Sequence, residues 1–77
     1  MNTYESTSPN FITTAFDLLR IYTASSINEH ITYVNIISHS RYMKDVLMIA
    51  KGTKYKIRME QGYYNPYSFT YQISKDR

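Results

Sequence analysis

From Thr53 to Ser74 the chain alternates polar and apolar residues, and this restricts its fold more than any other feature. Tyr55, Ile57 and Met59 share one phase, and Lys54, Lys56, Arg58 and Glu60 share the other. Beyond Gln61-Gly62 and the segment Tyr63–Tyr67, the residues Phe69, Tyr71 and Ile73 alternate with Ser68, Thr70, Gln72 and Ser74. A strand points successive side chains to opposite faces. The segment therefore reads as a β-hairpin with one face buried.

Upstream, the period changes. Ser8-Pro9 suits a helix start, with serine at the N-cap and proline at the first helical position. Phe11, Ile12, Ala15, Phe16, Leu18, Leu19 and Tyr22 then recur at steps of three and four. This predicts a helix over 9–22. The polar residues 1–7 are expected to fray.

Residues 27–38 admit two readings. Ser26 and Glu29 form a capping-box pair, and Ile27, Ile31 and Val34 fit one helical face. Against this, Ile31–Ile37 is dense in β-branched and aromatic residues, which favours a strand over about 30–37. Ser40 then opens a second helix, with Met43, Val46, Leu47 and Ala50 at i, i+3, i+4 and i+7. Gly52 supplies its stop, and Lys51 the cation of its last turn.

The resulting expectation is an α+β domain over 8–77. Its order is α-β-α-β-β, with two helices packed on a three-stranded, mainly antiparallel sheet. The expected core is Phe11, Ile12, Phe16, Leu19, Ile31, Val34, Met43, Val46, Leu47, Tyr55, Ile57, Phe69, Tyr71 and Ile73.

Ser40 through Gly52, with Met48-Ile49-Ala50-Lys51-Gly52 leading into a strand, resembles the helix-to-strand stretch around the regulatory serine of HPr phosphocarriers. The family's phosphorylated histidine precedes its first helix and is followed by arginine and proline. The matching region here, Ser8-Pro9-Asn10-Phe11-Ile12, holds neither histidine nor arginine, and Ser68–Ser74 replaces the family's last helix with a strand pattern. The resemblance implies a shared helix–strand unit and carries no activity over.

Composition narrows the function classes. The chain has 77 residues, no cysteine and a net charge of +3. A domain this small has a thin core. Small secreted domains usually add disulfides, so the lack of cysteine favours a reducing, cytoplasmic setting. No apolar run approaches the ~20 residues of a membrane-spanning helix, and Met1–Glu5 lacks the basic and apolar regions of a signal peptide. Two histidines without thiols do not close a tetrahedral zinc site. His39, between Ser38 and Ser40, reads as a loop or cap residue, and His30 as a surface residue. No nucleophile elbow, phosphate-cradling glycine loop or paired-carboxylate motif is present. The expectation is therefore a protein without catalytic activity, metal or cofactor.

Two features point to binding. Residues 41–58 carry Arg41, Lys44, Lys51, Lys54, Lys56 and Arg58 against Asp45 alone, whereas the rest of the chain is net acidic. Lys54, Lys56 and Arg58 share one strand face, a row able to follow a phosphate backbone or an acidic protein surface. The second feature is Tyr63-Tyr64-Asn65-Pro66-Tyr67. Three tyrosines in a loop stiffened by proline offer large contact area at low entropic cost. The expected function is a small binding protein that regulates or inhibits a macromolecular partner by occupying its surface. Tyr63, Tyr64 and Tyr67 are the candidate contacts, and a protein is favoured over a nucleic acid. The alternative is a nucleic-acid-binding protein contacting phosphates through Arg41, Lys44, Lys54, Lys56 and Arg58. Residues 27–38 are the expected contact of a homodimer, because a strand apolar on both faces needs covering.

Overall fold

The computed structural model describes residues 3–25 and 30–76. In order they form β1 (Thr3–Ser6), α1 (Phe11–Tyr22), β2 (Ile31–Ser40), β3 (Met43–Ala50), β4 (Thr53–Gln61) and β5 (Phe69–Lys75). All pairings are antiparallel, and the sheet order is β1-β5-β4-β3-β2. The protein is thus mostly β, with one short helix on a five-stranded sheet. This corrects the expected α+β arrangement of two helices on three strands.

The main error lies at 40–52. The expected second helix is strand β3, paired on both sides, with Val46 opposite Ile36 of β2 and Ile57 of β4. Val46, Met48 and Ala50 are buried on one face, while Leu47 and Ile49 are half-buried on the other. An inner strand with apolar residues on both faces loses its period-two signature, and the remaining pattern also fits a helical stripe. Gly52 misled for a related reason. Lys51 and Gly52 both have positive φ, 52° and 75°, as a two-residue type I′ turn demands. A helix stop selects glycine for the same left-handed backbone. The resemblance of 40–52 to the phosphocarrier helix–strand unit ends with this finding.

The ambiguous stretch resolves as strand for its described part, β2 from Ile31 to Ser40. Ile27 and the Ser26/Glu29 pair lie outside the described residues. Residues 3–6, within the segment expected to fray, pair with β5 through Tyr4 opposite Tyr71.

The 53–74 hairpin follows its alternation. Tyr55 pairs with Lys75, Ile57 with Ile73 and Met59 with Tyr71, and Tyr55, Ile57, Met59, Tyr71 and Ile73 are buried. These residues form the covered face of the sheet. Helix α1 closes it with Ala15 and Leu19, and Phe11 stacks on Tyr71 at 6.2 Å. The Tyr71 hydroxyl lies in this layer beside Thr14, and burial raises its pKa. Ile12, Phe16 and Val34, expected in the core, are exposed. Met43 and Leu47 are half-buried on the opposite, open face, whereas Met48, Ala50 and Met59 take the buried positions.

Helix α1 starts two residues later than the Ser8-Pro9 signal suggests. Its N-cap is Asn10, and the Ser8 hydroxyl instead accepts the Asn10 N–H at 3.3 Å. Its C-terminus is a Schellman motif. The Ser25 N–H donates to the Arg20 carbonyl and the Ala24 N–H to the Ile21 carbonyl, with Ala24 at φ 54°. The Lys51 ammonium donates to the Thr23 carbonyl at 3.0 Å, so this lysine does serve a helix C-terminus, that of α1. An alanine in the left-handed region is strained. Ala24→Gly is therefore expected to stabilise the fold by roughly 0.5–1 kcal/mol in urea denaturation. A lower midpoint for that variant would contradict this account.

Candidate functional site

The β4–β5 connection, residues 62–68, is braced from within. The Ser68 N–H donates to the Asn65 carbonyl at 3.1 Å, closing a turn with Pro66 at the position where its fixed φ fits. The Asn65 side-chain oxygen accepts the Tyr67 N–H at 3.1 Å. The Gln61 amide donates to the Pro66 carbonyl at 2.9 Å, and the Gly62 N–H to the Ser68 carbonyl at 2.7 Å. Gly62 is required sterically, since a Cβ there would lie 2.5 Å from the Asn65 carbonyl oxygen.

This loop holds its tyrosines out of the core. Tyr63, Tyr64 and Tyr67 are 73%, 95% and 77% exposed. Tyr63 and Tyr64 meet edge to face at 5.2 Å. Tyr63 also packs on Tyr42 of the β2–β3 turn at 5.4 Å, and the Arg41 guanidinium lies 5.0 Å from the Tyr42 ring centroid. The Gln61 N–H ties the two connections together by donating to the Tyr42 carbonyl at 2.7 Å. One end of the sheet thus presents a connected set, Arg41–Tyr42–Tyr63–Tyr64. It joins Arg41 of the basic segment to the tyrosine loop. Tyr42 was missed in the sequence because 40–52 read as a helix. The signal was there, as Arg41-Tyr42 separates two β-rich runs by two residues, a hairpin spacing.

The remaining cations do not form one surface. Lys54, Lys56 and Arg58 do share the open face of β4, as the period required. Lys44 stands in register with Met59 and so belongs to the covered face. Arg58 clamps Asp45 through two hydrogen bonds, Nε to Oδ1 at 2.8 Å and Nη2 to Oδ2 at 3.0 Å. Lys54 lies 3.9 Å from the Asp76 carboxylate. The positive strip therefore carries its own counter-charges along much of its length.

Asp45 is the second residue that sequence reasoning missed. It stands directly opposite Arg58 on the open face and is only 2% exposed, roofed by Arg58 and His39. His39 Nε2 sits 2.7 Å from Asp45 Oδ2, so His39 is a strand residue bound to a carboxylate and not a loop or cap residue. The Arg58 hydrogen bonds hold the Asp45 carboxyl below its ordinary pKa, with a smaller contribution from His39, while burial opposes them. Both Asp45 carboxylate oxygens are satisfied by these neighbours, as expected of a structural ion cluster. Shallow depressions beside Arg58, lined by Lys56, Gln72 and Ser74 or by Glu60 and Thr70, give no enclosed volume for a small substrate. Among the described residues no group of three histidine, cysteine or acidic side chains is placed to hold a metal, and no helix is long and apolar enough to cross a membrane. Comparison of the chain with protein-family models, curated proteins and solved structures finds no match.

Proposed function

We propose that the protein is a non-catalytic binding module that engages a protein partner through the tyrosine end of its sheet. One observation carries this reading: three tyrosines are held almost fully exposed on a loop whose backbone is internally hydrogen-bonded. A monomer gains nothing from keeping such rings in water. Tyrosine and arginine are the residues most enriched at binding hot spots, and a braced loop loses little entropy on docking. Occupation of the partner's surface is then the mode of regulation or inhibition. Direct nucleic-acid binding has less support, since Lys44 faces away from the strip while Arg58 and Lys54 have carboxylate neighbours.

The test is a comparison of partner capture by the wild type and by Tyr64→Ala/Tyr67→Ala. Both side chains lie outside the core, so the variant should keep its circular dichroism spectrum and melting temperature. Loss of two central tyrosines, at about 2 kcal/mol each, corresponds to roughly a thousandfold weaker binding. Captured proteins should disappear from the variant bait. Identical capture by both baits would remove the loop from the function, and binding of labelled oligonucleotides with a steep salt dependence would restore the nucleic-acid alternative.

A further inference from the structure

The two edges of the sheet are built differently. β1 is four residues long and carries Glu5, a short charged edge of the kind that resists pairing. β2 is ten residues long, contains no Lys, Arg, Asp, Glu or Pro, and among the described residues pairs only with β3. Beyond Ile31, which packs against the core, its apolar side chains are exposed on both faces. Tyr33 and Ile36 share a face with Met48 and Val46, and Ile37 shares the other with Asp45. Tyr33 is 50% exposed, and Val34, Ile36 and Ile37 are each about 40% exposed.

The helix explains part of this exposure. Five strands at ~4.8 Å spacing make a sheet ~19 Å across, whereas one helix covers ~10 Å. Helix α1 packs on β3, β4 and β5. Phe11 meets Tyr71 of β5, whereas Ile12 and Phe16 lie on another flank of the helix. Ile12 and Phe16 are also exposed. Apolar side chains are therefore exposed both on α1 and along the free edge.

We propose that the occupant of this edge is a second copy of the chain, paired antiparallel β2 to β2 about a two-fold axis at Ile36. The absence of charge favours self-pairing. A chain of net charge +3 meets its copy along a strand that brings no like charges together, whereas a charged foreign strand finds no counter-charge on β2. A dyad at Ile36 sets Ile36 against its copy on the covered face and Ile37 against Asn35 on the open face. That pairing spans the stretch between the two irregularities of β2, at Tyr33/Asn35 and Ser38/Ser40. The two five-stranded sheets join into one of ten strands. Isologous pairing uses each β2 once, and the short charged β1 does not propagate it, so the assembly closes as a dimer.

Area sets its strength. A ten-residue strand flank is ~33 Å long and ~10 Å thick, or ~330 Å² in projection, below the ~800 Å² per partner of a standard interface. The dimer is therefore weak, with dissociation in the micromolar range. Sedimentation of the wild type from about 1 µM to a few hundred micromolar should show monomer passing to dimer and stopping there. Ile36→Lys should remain monomeric throughout with an unchanged far-ultraviolet spectrum, and Tyr64→Ala/Tyr67→Ala should dimerise like the wild type. If Ile36→Lys loses its fold, Ile37→Lys makes the same test from the other face of the strand. A wild type monomeric at the highest concentration, an undiminished dimer in the lysine variants, or growth beyond the dimer would each overturn the proposal.

Discussion

Ile57→Ala should remove about 4 kcal/mol, a third or more of the fold's total stability. Ile57 lies in β4, the central strand, flanked in register by Val46 of β3 and Ile73 of β5, and all three are fully buried. Truncating a buried isoleucine costs about 2–5 kcal/mol, toward the upper end where neighbours cannot collapse into the space. Here the neighbours are fixed by ladder hydrogen bonds on both sides, so little collapse is available. A domain of this length has a total stability of ~4–12 kcal/mol. A loss of ~4 kcal/mol lowers the melting temperature by about 16–32 °C. Leu47→Ala is the control. Leu47 is in the neighbouring strand but on the open face and only half-buried, so its truncation should cost about 1 kcal/mol or less. Thermal melts followed by circular dichroism separate the two. Equal losses would mean that Leu47 is packed as deeply as Ile57 and that the second face of the sheet is covered.

That comparison also marks how far the fold was legible. The hairpin over 53–74 was readable because each of its strands has one wet face, so burial writes a period of two directly into residues such as Lys56 and Ile57. Strand β3 was not readable, because Leu47 and Ile49 make its second face apolar and Lys51-Gly52 ends a strand with the same backbone that ends a helix. Pairing with the adjacent strands β2 and β4 decided the matter, and the periodicity of 40–52 taken alone does not carry it. The candidate site divides in the same way. Tyr63, Tyr64 and Tyr67 stood out by composition alone. Tyr42 and Arg41 join them only across two hairpin connections, and Asp45 neutralises Arg58 only across the β3–β4 ladder. The basic strip looked stronger in sequence than in space because a count of charges ignores which cations already have partners.

Arg58→Met should destabilise the protein by about 2–3 kcal/mol at neutral pH, although Arg58 itself is one third exposed. The cost falls on the residue left behind. Asp45 keeps its burial but loses the bidentate clamp that chiefly lowers its pKa, retaining only His39. The sign of the pH dependence follows. In the wild type the folded-state pKa of Asp45 is lowered, so its stabilisation is complete above the unfolded value of about 3.9 and is lost as pH falls through the folded value. In Arg58→Met the main lowering influence is gone and burial favours the protonated acid. The variant therefore loses less stability on acidification, and the two curves should converge below about pH 4. Replacing both partners, Asp45→Leu with Arg58→Met, removes the stranded carboxylate and should recover most of the loss, since an apolar pair of similar volume commonly matches a buried ion pair. Urea denaturation of the three proteins between pH 2 and pH 7 measures all of this. A single-variant deficit that is constant with pH, or a double variant no better than the single, would show that Arg58 acts through its packed stem and not through Asp45.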